Sequence, residues 1–342
     1  MSYYIGNMKA GNGKKSIVVI GGGTGTHTVL RGLKQYRKSL NLTAVVSMAD
    51  SGGSTGRLRD EFGQLPVGDV RMALAALASD NDEHDELLRQ LFLHRFDKGN
   101  GLSGHNFGNL LLVALTDILG SEESAIHAAS RVLRVSGQVV PVTNENVHLV
   151  AQYEDGVMVT GEHAIDEPKA DRFTKRITKL SVTPRASINA RAKDAILKAD
   201  LIVLGPGDLY TSVLANVVVD GVAEAIKESS GRVVYVCNLM TKAGQTLNMT
   251  AQDHVEEIKK YIGVLPDFVV TNVGEFPSKL LLKYEEDQEF PVVANCTNGI
   301  CTVITDDLLA KEEVVTKSGD TLKRSLIRHD SHKLARKLID LL

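Results

Sequence analysis

Ser16-Ile17-Val18-Val19-Ile20-Gly21-Gly22-Gly23-Thr24-Gly25-Thr26 begins as a β-branched apolar run and ends where side chains give way to glycine. The run predicts a strand, and Val29, Leu30, Leu33 and Tyr36 follow at helical spacing, so the stretch reads strand, loop, helix. Phosphate is the ligand that such bare backbone suits. With few Cβ atoms in the way, consecutive N–H groups turn inward as a nest, and the following helix adds the positive end of its dipole. A tight turn without a ligand is the alternative, since glycine is also the default turn residue.

Downstream, Leu42 to Met48 repeats the strand signal and runs into a second such loop, Asp50-Ser51-Gly52-Gly53-Ser54-Thr55-Gly56. Two phosphate-type loops on neighbouring strands suggest a diphosphate. Gly21 and Gly23 match the first two glycines of a GxGxxG dinucleotide fingerprint, but Thr26 holds the third place. The second loop also puts phosphate or metal where an adenosine ribose should lie, which weakens an NAD-dependent oxidoreductase reading. Asp50 is better cast as a Mg²⁺ or hydroxyl contact, with Asp69 as a second acid; helix-capping aspartates are the alternative.

A third loop, Gly205-Pro206-Gly207-Asp208-Leu209-Tyr210-Thr211-Ser212, again lies between a strand and a helical run. Its Gly207 amide and the groups of Tyr210, Thr211 and Ser212 join the phosphate-binding set of Gly22, Gly23, Thr24, Gly25, Thr26, Ser51, Gly52, Gly53 and Ser54. Gly104-His105-Asn106-Phe107-Gly108-Asn109 opens an apolar helix, so its polar groups gather at a positive helix end. His105 is either an acid or base or a structural cap. Arg57, Arg59 and Arg71 lie near the second loop in sequence, where they neutralise phosphate or sit on the surface.

Strands at Leu201–Leu204, Val233–Val236, Phe268–Val270 and Pro291–Ala294, each after a helical stretch, extend the pattern to a doubly wound, mostly parallel Rossmann-like α/β sheet. Asparagines Asn238, Asn272 and Asn295 follow three of these strands. There an amide faces the ligand crevice of an open sheet or makes an ordinary turn. Between them, residues 137–185 read as a small antiparallel β insertion, with Val147–Tyr153 and Val157–Thr160 as a hairpin across Glu154-Asp155-Gly156 and Ile177–Thr183 as a third strand. The expected organisation is a flexible tail (1–15), a first Rossmann-like part (16–136), the insertion, and a second part (186–342). The last part ends in a helix striped by Leu334, Leu338, Ile339 and Leu342.

Composition bounds the partners. The 342 residues are 43% hydrophobic, and 39 basic against 42 acidic residues give a net charge of −3, without the positive field that nucleic acid needs. The longest aliphatic run, Leu110–Leu115, is too short to span a bilayer. Cys237, Cys296 and Cys301 form no CxxC pair and read as buried thiols of a reducing compartment. With no secretory signal evident, the expected location is cytoplasmic. No nucleophile elbow or metal-hydrolase spacing is present.

Taken in order, the five motifs resemble the gluconeogenesis factor (YvcK-like) proteins, within the CofD-like 2-phospho-L-lactate transferase superfamily. The fifth is Asn238-Leu239-Met240-Thr241, and the resemblance covers nearly the whole chain. It implies a nucleotide-diphosphate ligand and separates two activities. The transferase branch moves phospholactate from a guanosine-linked donor onto a deazaflavin with Mg²⁺. The gluconeogenesis-factor branch binds UDP-sugars, notably UDP-N-acetylglucosamine, and supports cell-wall growth and shape on gluconeogenic carbon. The Asp50–Gly56 and Gly104–Asn109 motifs look like the second branch. The resemblance then implies nucleotide-sugar contacts from His105, Asn106, Asn109, Asn238, Tyr284 and Arg328, a regulatory rather than catalytic role, and a protein partner in cell-wall regulation. A homo-oligomer stays open. Asp208, where a serine is common, and Lys242-Ala243-Gly244-Gln245 depart from the family pattern.

Overall fold

The computed structural model describes residues 13–296, 301–311 and 325–342. The expected N-terminal tail therefore lies almost wholly outside the described residues.

The first half lays down β1 (Lys15–Gly21), α1 (Gly23–Leu33), β2 (Leu40–Val46), α2 (Gly53–Phe62), α3 (Gly68–Leu77), α4 (Glu83–Leu93), α5 (Phe107–Leu119), α6 (Glu122–Val132) and β3 (Gln138–Pro141). A small unit follows, with β4 (His148–Tyr153), β5 (Met158–Thr160), α7 (Glu162–Asp166) and β6 (Ile177–Thr183). The second half alternates through α8 (Ala190–Leu197), β7 (Leu201–Leu204), α9 (Ala215–Val217), α10 (Val222–Glu228) and β8 (Arg232–Val236). It continues with α11 (Ala251–Ile262), β9 (Phe268–Asn272), α12 (Ser278–Glu286), β10 (Thr302–Asp306) and α13 (Ser331–Ile339).

Seven strands pair in the order β10-β9-β8-β7-β1-β2-β3, all parallel. A second sheet, β5-β4-β6, is antiparallel. The doubly wound sheet with a small antiparallel companion is thus the fold expected from the strand and helix spacing. Helices on both faces explain why β1 and β7 carry unbroken apolar runs instead of alternation: Ile17 to Ile20 and Leu201 to Leu204 are fully or almost fully buried. The chain runs from β1 outward to β2 and β3, then returns to β7 on the other side of β1. This reversal is the switch point at which open sheets part their loops into a crevice.

Two strand expectations need correction. Pro291–Ala294 is not a sheet strand: Pro291 makes only an isolated bridge to Met240, and Val292 donates to the Leu239 carbonyl. Pro291 lacks the N–H a ladder requires, and the segment runs along the loop after β8. The seventh strand is instead β10, a half-buried edge whose Thr-Val-Ile-Thr run pairs with β9. β3, which falls inside the span expected as the insertion, is the edge strand of the large sheet.

The C-terminal helix packs as its stripe predicts. Leu334 and Leu338 are fully buried, and α13 lies against α1 so closely that a Cβ on Gly32 would strike the Ser331 backbone. Asp330 caps it by accepting from the His332 and Lys333 amides. Among the described residues no helix is long and apolar enough to cross a membrane.

Candidate functional site

The three glycine loops meet at the switch point, around one cavity of about 300 Å³. Their approach is close enough to explain the glycines. A Cβ on Gly25 would collide with the Pro206 carbonyl, and one on Gly22 with the Asp69 carboxylate. Neither α1 nor α2 has a side-chain cap, because Gly22 and Gly52 occupy their N-cap positions. Both helices therefore present first-turn amides that no intrahelical carbonyl reaches.

Acidic side chains have moved onto part of this backbone. The Asp69 carboxylate accepts from the Gly23 amide at 2.7 Å, Asp50 from the Gly52 amide at 2.9 Å, and Glu162 from the Ser51 amide at 3.3 Å. These are the positions expected for ligand oxygens. The crowding shows in their acidity. Burial, then the neighbouring Asp50, pushes Asp69 up to about 7. Burial raises Asp50 despite its bonds to Gly52 and Thr55. Burial, then Asp50, Asp166 and Asp69, raises Glu162 well above the ordinary carboxyl range.

A second acidic knot forms under the Gly205–Ser212 loop, where burial pushes Asp208 up to about 7. Here Lys242 supplies the counter-charge, 3.7 Å from Asp166. Its own burial favours the neutral amine, but Asp208, Asp166 and Glu289 outweigh this and raise its pKa. Asp208 and Lys242 thus sit together at the cavity.

Of the residues expected to hold phosphate, Gly22, Gly23, Thr24, Gly25, Gly52, Ser54, Gly207, Thr211 and Ser212 line the cavity, as does Asp50. Thr26, Ser51, Gly53 and Tyr210 lie outside the lining. Tyr210 is buried and its hydroxyl donates to the Ile177 carbonyl at 3.4 Å, tying the loop to the small sheet. The Ser212 amide donates to the Asp208 carbonyl at 2.9 Å, within a π-helical turn over Leu209–Leu214.

Asn109, Asn238, Tyr284 and Arg328 also line the cavity, whereas His105 and Asn106 sit behind it. His105 Nδ1 is 3.2 Å from Ser54 Oγ, and burial lowers its pKa. Asn106 caps α5 by accepting from the Gly108 amide. Asn109 bridges the second loop and Arg71, donating to Ser54 Oγ at 3.3 Å and accepting from Arg71 Nε at 2.8 Å. The Tyr284 hydroxyl accepts from the Leu326 and Ile327 amides at 2.9 and 3.2 Å and so holds the segment that carries Arg328. Of the strand-end asparagines, Asn238 faces the cavity, while Asn272 makes turn contacts to Gly274 and Leu308.

Sequence reasoning missed Glu162, His163 and Asp166. They stand on α7, inside the small unit, and reach the cavity only because that unit folds over the second loop. The Ser51 hydroxyl accepts from the His163 amide at 3.0 Å. No local motif marks them; an acid-rich helical turn next to a glycine is the only signal. Among the described residues no group of three or more His, Cys, Asp or Glu side chains is arranged to enclose a metal ion.

Comparison with known proteins places this arrangement. The profile of the 2-phospho-L-lactate transferase CofD family matches residues 17–309. The Bacillus subtilis gluconeogenesis factor is 41% identical over 332 residues, covering 96% of this chain and 98% of its own length. That of Halalkalibacterium halodurans is 42% identical over 320 residues, covering 92% and 96%. A crystal structure of a Bacillus halodurans protein superposes with a TM-score of 0.85 at 39% identity, over 95% of this chain and 99% of that one. The likeness runs over nearly the whole chain, and this chain belongs to the CofD family, alongside its gluconeogenesis factors.

Proposed function

We propose that the chain binds a UDP-sugar, with UDP-N-acetylglucosamine as the preferred ligand, in this cleft and acts as a cytoplasmic regulator of cell shape and cell-wall growth on gluconeogenic carbon. The observation that carries the reading is the convergence of three glycine loops and the uncapped α1 terminus on one cavity. Backbone amides at a helix start favour phosphate oxygens. The name gluconeogenesis factor, borne by relatives over nearly the full length, supports the regulatory part. A protein partner would read ligand occupancy through the segment held by Tyr284, whose Ile327 and Arg328 line the cavity.

The acidic lining bears on Mg²⁺. Seven carboxylates, Asp50, Asp69, Glu162, Asp166, Glu167, Asp208 and Glu289, line a cavity offered to a dianion, against Arg71, Arg95, Lys242 and Arg328. A divalent cation resolves that conflict. Burial first, and then the neighbouring acids, raise the pKa of Asp50, Asp69 and Glu162, and a bound cation would favour their ionised forms. Mg²⁺ commonly takes one or two carboxylates and draws its other ligands from phosphate and water. Asp50 and Asp69 would hold it. When bound it would supply charge neutralisation of the diphosphate.

A second reading, a phospholactate-type transferase acting on a nucleoside-diphosphate-linked donor, is favoured by the family profile. Thermal stabilisation separates the two. UDP-N-acetylglucosamine with Mg²⁺ should stabilise the protein, by about 2.7 kcal/mol at 100 times the dissociation constant. Turnover of a deazaflavin with a guanosine-linked donor would promote the transferase. Stabilisation by NAD alone would overturn both.

A further inference from the structure

Asn238 and His329 both line the cavity, and the His329 ring bonds the backbone of Cys237, the residue before Asn238. Asn238 follows β8, two strands removed from β1 in the sheet order, which is roughly 10 Å at the usual strand spacing. A ribose fits between a diphosphate at β1 and a base at β8. His329 precedes α13 and follows Ile327 and Arg328 on the segment that the Tyr284 hydroxyl holds.

The two side chains have opposite hydrogen-bonding capacity left over. The Tyr235 hydroxyl donates to Asn238 Oδ1 at 3.1 Å, so what Asn238 has to offer a ligand is its NH₂ donor. The His329 ring donates to the backbone of Cys237. That bond fixes the proton on one nitrogen and leaves the other as an acceptor. The remaining nitrogen, Nε2, is buried and has no partner among the described residues. Among the described residues that line the cavity, it is the buried side-chain polar atom left unsatisfied. His329 is 8% exposed, and burial lowers its pKa to about 4, so at neutral pH the ring is uncharged and Nε2 keeps its lone pair. An unsatisfied buried acceptor costs free energy unless a donor arrives, and a ligand in the cavity can bring one.

We propose that Asn238 and His329 form a donor–acceptor pair that reads the imide or lactam edge of a nucleobase, a carbonyl oxygen beside a ring N–H. Uracil offers that edge at O4 and N3–H, and guanine at O6 and N1–H. Cytosine and adenine present the reverse pattern, an amino donor beside a ring-nitrogen acceptor, and would set lone pair against lone pair at His329. This rests on the nucleoside-diphosphate reading of the cleft and adds to it the residues that select the base.

The test is titration calorimetry of the full chain with UDP, GDP, CDP, ADP and 3-methyluridine diphosphate, each with Mg²⁺. UDP or GDP should bind at least about tenfold more tightly than CDP, ADP and the N3-methylated ligand. A choice between UDP and GDP identifies which of the two imide-type bases fits the cavity. His329→Leu should abolish the preference for UDP over CDP, and His329→Gln, which restores an acceptor, should recover part of it. If the variants do not fold, the 3-methyluridine ligand asks the same question of the unaltered protein. CDP or the methylated ligand binding as tightly as UDP would overturn the base-reading pair alone. Failure of every nucleoside diphosphate to bind would overturn the nucleotide reading as well.

Discussion

The Asp69 carboxylate sits 2.7 Å from the Gly23 amide, in the place a phosphate oxygen would take at the start of α1. The cleft is therefore self-occupied in part by its own acids. A diphosphate entering it must either displace Asp69 or share it with a cation, and both routes tie ligand binding to the charge on this one side chain.

Asp69→Asn keeps an acceptor for the Gly23 amide and removes a crowded charge. The variant should be more stable than the parent, by on the order of 1 kcal/mol at pH 8 in urea denaturation. Its Mg²⁺-dependent binding of UDP-N-acetylglucosamine should weaken. A loss of stability would mean that the ionised carboxylate is compensated by charges the cavity already holds.

The sign of the pH dependence follows from the same residue. Asp69 is raised from 3.8 to about 7, so between those values the folded protein holds a proton that the unfolded chain has released. The stability this contributes is fully present below about pH 4 and is lost as pH rises through about 7. Comparing urea midpoints of parent and Asp69→Asn at pH 5.5 and 8 should show the parent losing more stability over that interval. Equal losses would remove the raised pKa of Asp69 from the account.

Tyr284→Phe deletes an acceptor used by two backbone amides and leaves the packing of the ring intact. Hydrogen exchange at Leu326 and Ile327 should accelerate by about tenfold or more, with a stability cost of roughly 1–3 kcal/mol. Ligand affinity should fall with it, because Arg328 and His329 ride on the same segment. Unchanged exchange would show that another contact fixes the segment.

Gly25→Ala places a methyl group against the Pro206 carbonyl, which is backbone and cannot swing aside. The expected cost is about 1–3 kcal/mol, read from thermal or urea unfolding, together with loss of nucleotide binding as the first and third loops are forced apart. A variant with parental stability and affinity would show that the two loops move independently.

Much of this site could be read from residues 16–26 and 50–56, because glycine after a buried β-branched run has a local physical cause. The same holds for Gly205–Ser212, although Tyr210 turned to the small sheet and its hydroxyl serves Ile177. What local pattern does not carry is long-range closure. Glu162 and Asp166 arrive from α7 because β4 and β6 pair around it, and His329 arrives because α13 docks on α1 across Gly32. The misplaced final strand has the opposite origin: Pro291–Ala294 has strand composition but lacks a ladder donor at its first position, whereas β10 is a half-exposed edge with a muted apolar signal.

The central claim is that a nucleotide diphosphate lies between the start of α1 and the Gly205–Ser212 loop. A crystal soaked with UDP-N-acetylglucosamine and Mg²⁺ tests it most directly. The account predicts diphosphate oxygens at the amides of Thr24 and Gly25 and near Gly207, with Asp69 shifted from Gly23 or joined to a cation. A diphosphate bound outside this cavity, or Asp69 still on Gly23 with the ligand's sugar or base in the glycine loops, would contradict it.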